Sequence, residues 1–207
     1  MRYIRLAVVT TAVALFAIGC MDYSQKIVIW EGGSALITQD GWLDPAVKET
    51  AGELGIGTGY SEILFLGKYD GNPGVVVGDS YVEIDEEANV EHHHAEFTVE
   101  SSGCLDDWSF IHNLGEIDWK SDGDELVFEQ KLINEPAKDM EPEEAEFTRA
   151  MYEGYDYTYA FTVVMPGPVT ETNGSLGDDG RTVTWSWPFS DLTVEYELTM
   201  TAKCEIR

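Results

Sequence analysis

Apolar and polar residues alternate in short blocks along most of the chain, and a period of two is the signature of β-strands. Lys26 to Trp30 and Ser34 to Gln39 flank Glu31-Gly32-Gly33, which predicts a β-hairpin with Ile27, Ile29, Ala35 and Ile37 turned inward. Asp44-Pro45 signals a helix start, the carboxylate capping and the proline taking the first helical position, with the helix running to about Leu54. Gly55 to Gly78 is rich in glycine, and its apolar runs Ile63 to Leu66 and Val75 to Val77 suit either short strands or loop. Val82 and Ile84, followed after an acidic turn by Ala95, Phe97 and Val99, predict a second hairpin. A short helix is expected over Asp106 to Leu114, carrying Trp108 and Phe110. A third hairpin joins Glu116 to Lys120 with Glu125 to Leu132 through Ser121-Asp122-Gly123-Asp124, where Asp-Gly supplies the positive φ of a tight turn.

Asp139 to Tyr152 reads as an acid-rich helix with Pro142 near its start, its carboxylates placed at the positive end of the helix dipole. Tyr155, Tyr157, Tyr159, Phe161 and Val163 then fall on one side of a strand. Such a stripe either forms a core face with hydroxyls at its rim or floors a pocket for a sugar or lipid, so Tyr155, Tyr157, Tyr159 and Phe161 are candidate ligand-binding residues. Val183, Trp185 and Trp187 form another alternating set. The last segment is the most regular, with Leu192, Val194, Tyr196, Leu198, Met200, Ala202, Cys204 and Ile206 on one side and polar residues on the other. Together these elements predict a single α+β domain over residues 26–207, dominated by antiparallel β-sheet built from hairpins, with two or three helices packed on one face.

Ahead of that domain the pattern changes. Arg2 and Arg5 precede an uncharged apolar run from Leu6 to Ile18, which stops at Gly19-Cys20 and is too short for a permanent transmembrane helix. Ala17-Ile18-Gly19-Cys20 resembles the lipobox of bacterial lipoproteins, with alanine where that family usually has leucine. The resemblance implies that residues 1–19 are a signal peptide, that the Cys20 thiol is lipidated, and that residues 20–25 are a short tether to the membrane. Met21 rather than aspartate follows Cys20, and by the enterobacterial sorting pattern this implies the outer membrane in a Gram-negative cell. The alternative is a plain secretory signal in which Cys20 is incidental.

Charge narrows the partners. The 207 residues hold 39 Asp and Glu against 12 Lys and Arg, a net charge of −27, and removal of Arg2 and Arg5 with the signal takes it to −29. Nucleic acid is excluded as a main partner, since phosphate binding needs clustered bases. This density reads as adaptation to high salt, where the Debye length shrinks to about 3 Å at 1 M, and points to a halophilic bacterium. Divalent-cation binding or a basic partner would also suit it, although no loop has the Asp-x-Asp-x-Asp-Gly spacing of a calcium site. With Cys20 taken by lipid, Cys104 and Cys204 are candidates for a disulfide, which would contribute about 4 to 5 kcal/mol by closing so long a loop; the alternative is two buried free thiols.

Among chemical motifs, His92-His93-His94 stands out. On a strand His92, His94 and Glu96 share one face, and two imidazoles with a carboxylate suit zinc or another transition metal; an exposed polar face is the simpler expectation. The chain has no Gly-x-Ser-x-Gly, no His-Glu-x-x-His and no phosphate loop, so no catalytic residue and no cofactor is expected. Finally, Phe161 to Trp187 resembles the strand-turn-strand signature of LppM-type bacterial lipoproteins, matching at Pro166-Gly167, Val169, Asn173-Gly174 and Thr182 to Trp185. These matching residues are structural markers of two strands and a turn-rich connection. The expected function is a non-catalytic, lipid-anchored envelope protein that binds a lipid or other amphiphile. The alternatives are a module that docks on an envelope protein and, third, a metal-binding protein.

Overall fold

The computed structural model describes residues 22–43, 73–85, 90–105, 116–134, 137–153 and 157–206. The helices expected over Asp44 to Leu54 and Asp106 to Leu114, the apolar run Ile63 to Leu66, and the lipobox lie outside these residues.

Eleven strands are described: β1 (Asp22–Ile29), β2 (Ala35–Leu43), β3 (Val75–Asp85), β4 (Val90–Val99), β5 (Glu116–Asp122), β6 (Glu125–Ile133), β7 (Thr158–Val164), β8 (Val169–Thr172), β9 (Ser175–Leu176), β10 (Thr182–Pro188) and β11 (Glu197–Glu205). They form two sheets, sheet A in the order β3-β4-β2-β1-β7-β10-β9 and sheet B in the order β5-β6-β11-β8. Two α-helices, α1 (Pro142–Tyr152) and the single turn α2 (Phe189–Leu192), and a 3-10 turn (Ser102–Leu105) are also described.

The expected hairpins are present. Ile27, Ile29, Ala35 and Ile37 are all buried, and Gly33 turns the first hairpin at φ 83°. Gly123, at φ 64°, turns the hairpin of β5 and β6. Val75 to Val77, undecided between strand and loop, opens β3. Inward residues of sheet A, among them Phe97, Phe161 and Val183, meet Leu126, Phe128, Met200 and Ala202 of sheet B in one apolar core. The fold is therefore a packed pair of sheets, broadly α+β and mostly strand.

Three expectations need correction. Sheet A is mixed, because β1 pairs in parallel with β7 while every other described pairing in either sheet is antiparallel. Alternation marks which face of a strand is buried, but it carries no sign of strand direction. The long final strand is shorter than its pattern: Leu192 closes α2 and Val194 lies in the turn after it, so β11 begins at Glu197. Lastly, the cysteines do not pair: Cys104 and Cys204 are both free. Cys104 sits in a 3-10 turn (Ser102–Leu105) against Gly74, whereas Cys204 points into the core from β11, and burial raises its thiol pKa and keeps it protonated.

The Pro166 to Trp185 segment explains why its residue types recur together. The chain leaves sheet A after β7, crosses to sheet B as β8, and returns to sheet A as β9. A Cβ on Gly167 would lie 1.7 Å from the Glu205 carbonyl oxygen, so the crossing passes backbone against backbone over β11. Asn173 then ties the sheets together: its Oδ1 accepts from Trp185 Nε1 of β10 (2.8 Å) and from the Thr201 amide of β11 (2.9 Å), while its Nδ2 donates to the Thr199 carbonyl (2.7 Å). A Cβ on Gly174 would lie 2.6 Å from the Trp185 ring.

Between β9 and β10, Asp179 organises the turn. Its carboxylate accepts from the Thr182 hydroxyl (2.6 Å) and from the amides of Arg181 (2.9 Å) and Thr182 (2.8 Å). Those bonds, the Thr182 hydroxyl first, lower its pKa from 3.8 to about 2. A depressed carboxylate stabilises the fold above the unfolded-state pKa and loses that contribution as pH falls through the folded value. Asp179 is therefore expected to stay ionised until about pH 2, with its stabilisation fading between about pH 4 and pH 2. Side-chain carboxyl chemical shifts followed from pH 5 to 1.5 check this, and a midpoint near 4 would contradict it.

Candidate metal centre and inner polar row

At the end of sheet A where β1 begins, the two faces of the sheet carry different chemistry. On the outer face, His92 and His94 project from β4 two residues apart, and the register of β2 sets Asp40 opposite His94 and Trp42 opposite His92. On the other side, β3 sets Tyr81 opposite His94 and Glu83 opposite His92. Directly opposed residues in a sheet share a face, so these groups converge.

Asp40 Oδ1 lies 2.9 Å from His92 Nε2 and 2.8 Å from His94 Nδ1, accepting from both rings. One ligand-capable atom from each of the three residues lies within 4.8 Å of the others. The rings are clamped: Trp42 stacks on His92 at 5.0 Å and 6°, and Tyr81 stacks on His94 at 4.8 Å and 19°. Side-chain exposures of 25% for His92, 16% for His94 and 23% for Asp40 leave the cluster reachable from solvent without being fully wet.

Strand alternation puts His92, His94 and Glu96 on one face. The structure brings the two histidines together but gives the carboxylate role to Asp40, while Glu96 lies one pair further along β4, opposite Thr38. Asp40 is 52 residues from His92 and meets it only through the register of two strands, which local sequence pattern does not report. In the sequence it stands one residue beyond the strand predicted over Ser34 to Gln39, which in the structure continues as β2 to Leu43.

On the inner face the same end turns from apolar to polar. Two cross-strand rows run there, Ala95-Gln39-Gln25-Phe161-Trp185 and His93-Gly41-Tyr23-Tyr159-Trp187. Gln25, Gln39 and His93 are buried to 3% exposure or less, and Gln130 reaches in from sheet B to accept from Gln25 Nε2 at 3.4 Å. Tyr23 donates its hydroxyl to Gln25 Oε1 (3.4 Å), and His93 Nε2 sits 3.3 Å from Glu91 Oε2. Among the described residues, Gln39 Oε1 is buried without a hydrogen-bond partner, a costly condition for an amide oxygen.

The tyrosine stripe feeds this row. Phe161 is buried against Tyr23 (5.9 Å) and Trp187 (5.9 Å), and Tyr159 packs between Tyr23 (5.6 Å) and Phe189 of α2 (5.7 Å). Tyr157 lies 6.5 Å from Phe189, and Tyr152 of α1 meets the same ring edge-on at 5.3 Å. Arg149 fixes α1 over α2 through Asp191 (3.2 Å) and Glu195 (3.1 Å). Tyr155 lies outside the described residues.

This is a two-sheet α+β domain with a His-His-Asp cluster on one face and a buried polar row on the other. No family profile and no curated protein matches the chain. Among solved structures it is similar to the NMR structure of the folded domain of the Mycobacterium tuberculosis LppM protein, at 14% identity and a TM-score of 0.49 over 91% of each chain.

Proposed function

We propose that this chain is an exported, non-catalytic protein of a bacterial cell envelope, anchored by lipid on Cys20, whose domain receives a lipid or other amphiphile at the inner polar row. One observation carries the reading. β1 begins at Asp22, two residues after Cys20, and within its first four residues lays Tyr23 and Gln25 on the buried inner face. Two residues of chain span at most about 7 Å, so an acyl anchor on Cys20 holds this end of the domain at the membrane surface. The buried row there offers aromatic area from Tyr159 and Phe161 beside amide and imidazole groups from Gln25, Gln39 and His93, the pairing that an amphiphile with a polar head requires.

The test is native mass spectrometry of the full chain extracted from the membrane of a high-salt bacterial host. The expected result is a covalent acyl mass that disappears in Cys20→Ser, together with a stoichiometric noncovalent adduct of lipid mass that Gln39→Leu weakens. An unacylated Cys20 would overturn the anchor. A protein that stays bare after incubation with envelope lipids would overturn the amphiphile.

A further inference from the structure

Asp40, His92 and His94 do not belong to the inner row, and their geometry suits a second ligand class. We propose that they bind one divalent first-row transition ion, of the class of zinc, cobalt or nickel, on the outer face of sheet A. Two imidazole nitrogens and one carboxylate oxygen converge within 4.8 Å, a mixed nitrogen and oxygen set that matches borderline cations. Magnesium and calcium favour all-oxygen shells, so they are poor occupants.

The site is built rather than accidental. Both histidines stand on one strand at i and i+2 and the carboxylate directly across on its neighbour, so backbone hydrogen bonding fixes the spacing of all three. Trp42 and Tyr81 lie flat against the two rings and hold them at the angles that aim His92 Nε2 and His94 Nδ1 at Asp40. Metal replaces the two N–H groups now directed at Asp40 Oδ1; each neutral ring then carries its proton on its other nitrogen, and the carboxylate becomes a ligand instead of an acceptor. Three protein ligands leave at least one position of a tetrahedral ion for water or an incoming group. A net charge of −27 draws divalent cations toward the surface, while the paired imidazoles select among them.

The test is cobalt(II) titration of the full chain, purified without a polyhistidine tag and followed by visible absorption. Surface carboxylates bind cobalt in an octahedral, weakly absorbing form, so a strong visible band reports this site and not the acidic surface. The expected result is a band saturating at one equivalent, quenched by zinc but not by a large excess of magnesium. Asp40→Asn and His94→Ala are expected to weaken binding by about 100-fold or more, with Glu96→Gln unchanged. Near-ultraviolet circular dichroism keeps the readout apart from folding, because Asp40→Asn preserves side-chain shape and leaves the core untouched. A missing band, or a band of undiminished affinity in Asp40→Asn or in the His92→Ala/His94→Ala pair, would overturn the proposal.

Discussion

Gly167→Ala is expected to destabilise the domain by about 3 kcal/mol or more, or to prevent its folding, although it adds one methyl group. The new Cβ would be placed 1.7 Å from the Glu205 carbonyl oxygen and 2.9 Å from its carbon. Neither atom is the far end of a side chain that could swing aside. Relief requires one backbone to retreat from the other, which strains the pairing of β8 with β11 at Cys204 and Val169 and the nearby bond from the Glu205 amide to Pro168. Gly103→Ala is the control, since its Cβ would meet only the Ser101 hydroxyl at 3.7 Å. Urea unfolding at constant salt measures both. Near-equal midpoints would mean that the crossing is looser than its contacts require.

Phe128→Ala is expected to cost about 3 to 5 kcal/mol, the range for deleting a large aromatic side chain from a packed core. The side chain is 1% exposed and sits at the centre of sheet B, paired across to Trp119 on β5 and Ala202 on β11. Its ring also lies 6.1 Å from Trp185 of sheet A, so truncation loosens the junction between sheets as well as one of them. Val127→Ala, next along the strand, is expected to change stability by only about 0.5 kcal/mol, because Val127 faces outward at 39% exposure. Comparable midpoint shifts for the two variants would show that β6 does not sit in the register described here.

Alternation made the local fold legible. The hairpin of Ile27 and Ala35, the turn at Gly123, and the inward set Ala95, Phe97 and Val99 were all readable, because period two reports on the residues of one strand and its immediate partner. What alternation cannot report is which distant strands become neighbours. The parallel pairing of β1 with β7 and the meeting of Asp40 with His92 both depend on that, and neither could be read from local pattern. The edge strand β3 shows the opposite limit. Val82 and Ile84 alternate like buried residues, yet they are 51% and 61% exposed, because among the described residues β3 has a neighbour only on the β4 side.

At the candidate sites, residue type was legible and partnership was not. His92 and His94 announced themselves by composition and spacing, whereas their third member depended on register. The inner row was invisible for a different reason. Gln25 and Gln39 occupy buried positions of strands whose other inward residues are apolar, and a glutamine in such a pattern reads as a solvent-facing position unless the opposing sheet is known to cover it.

The parallel pairing of β1 with β7 also bears on when this protein can fold. Asp22 and Thr158, joined by a side-chain to backbone bond at the start of the pairing, are 136 residues apart. β11, the last strand, lies between β6 and β8 in the interior of sheet B. Both sheets are therefore closed by the final quarter of the sequence, and contacts of such long range make for slow folding. A nascent chain of this kind can form its early hairpins but cannot lock either sheet before its C-terminal strands emerge. For the export proposed above, that delay would leave the chain open enough to thread a narrow translocation channel before either sheet closes.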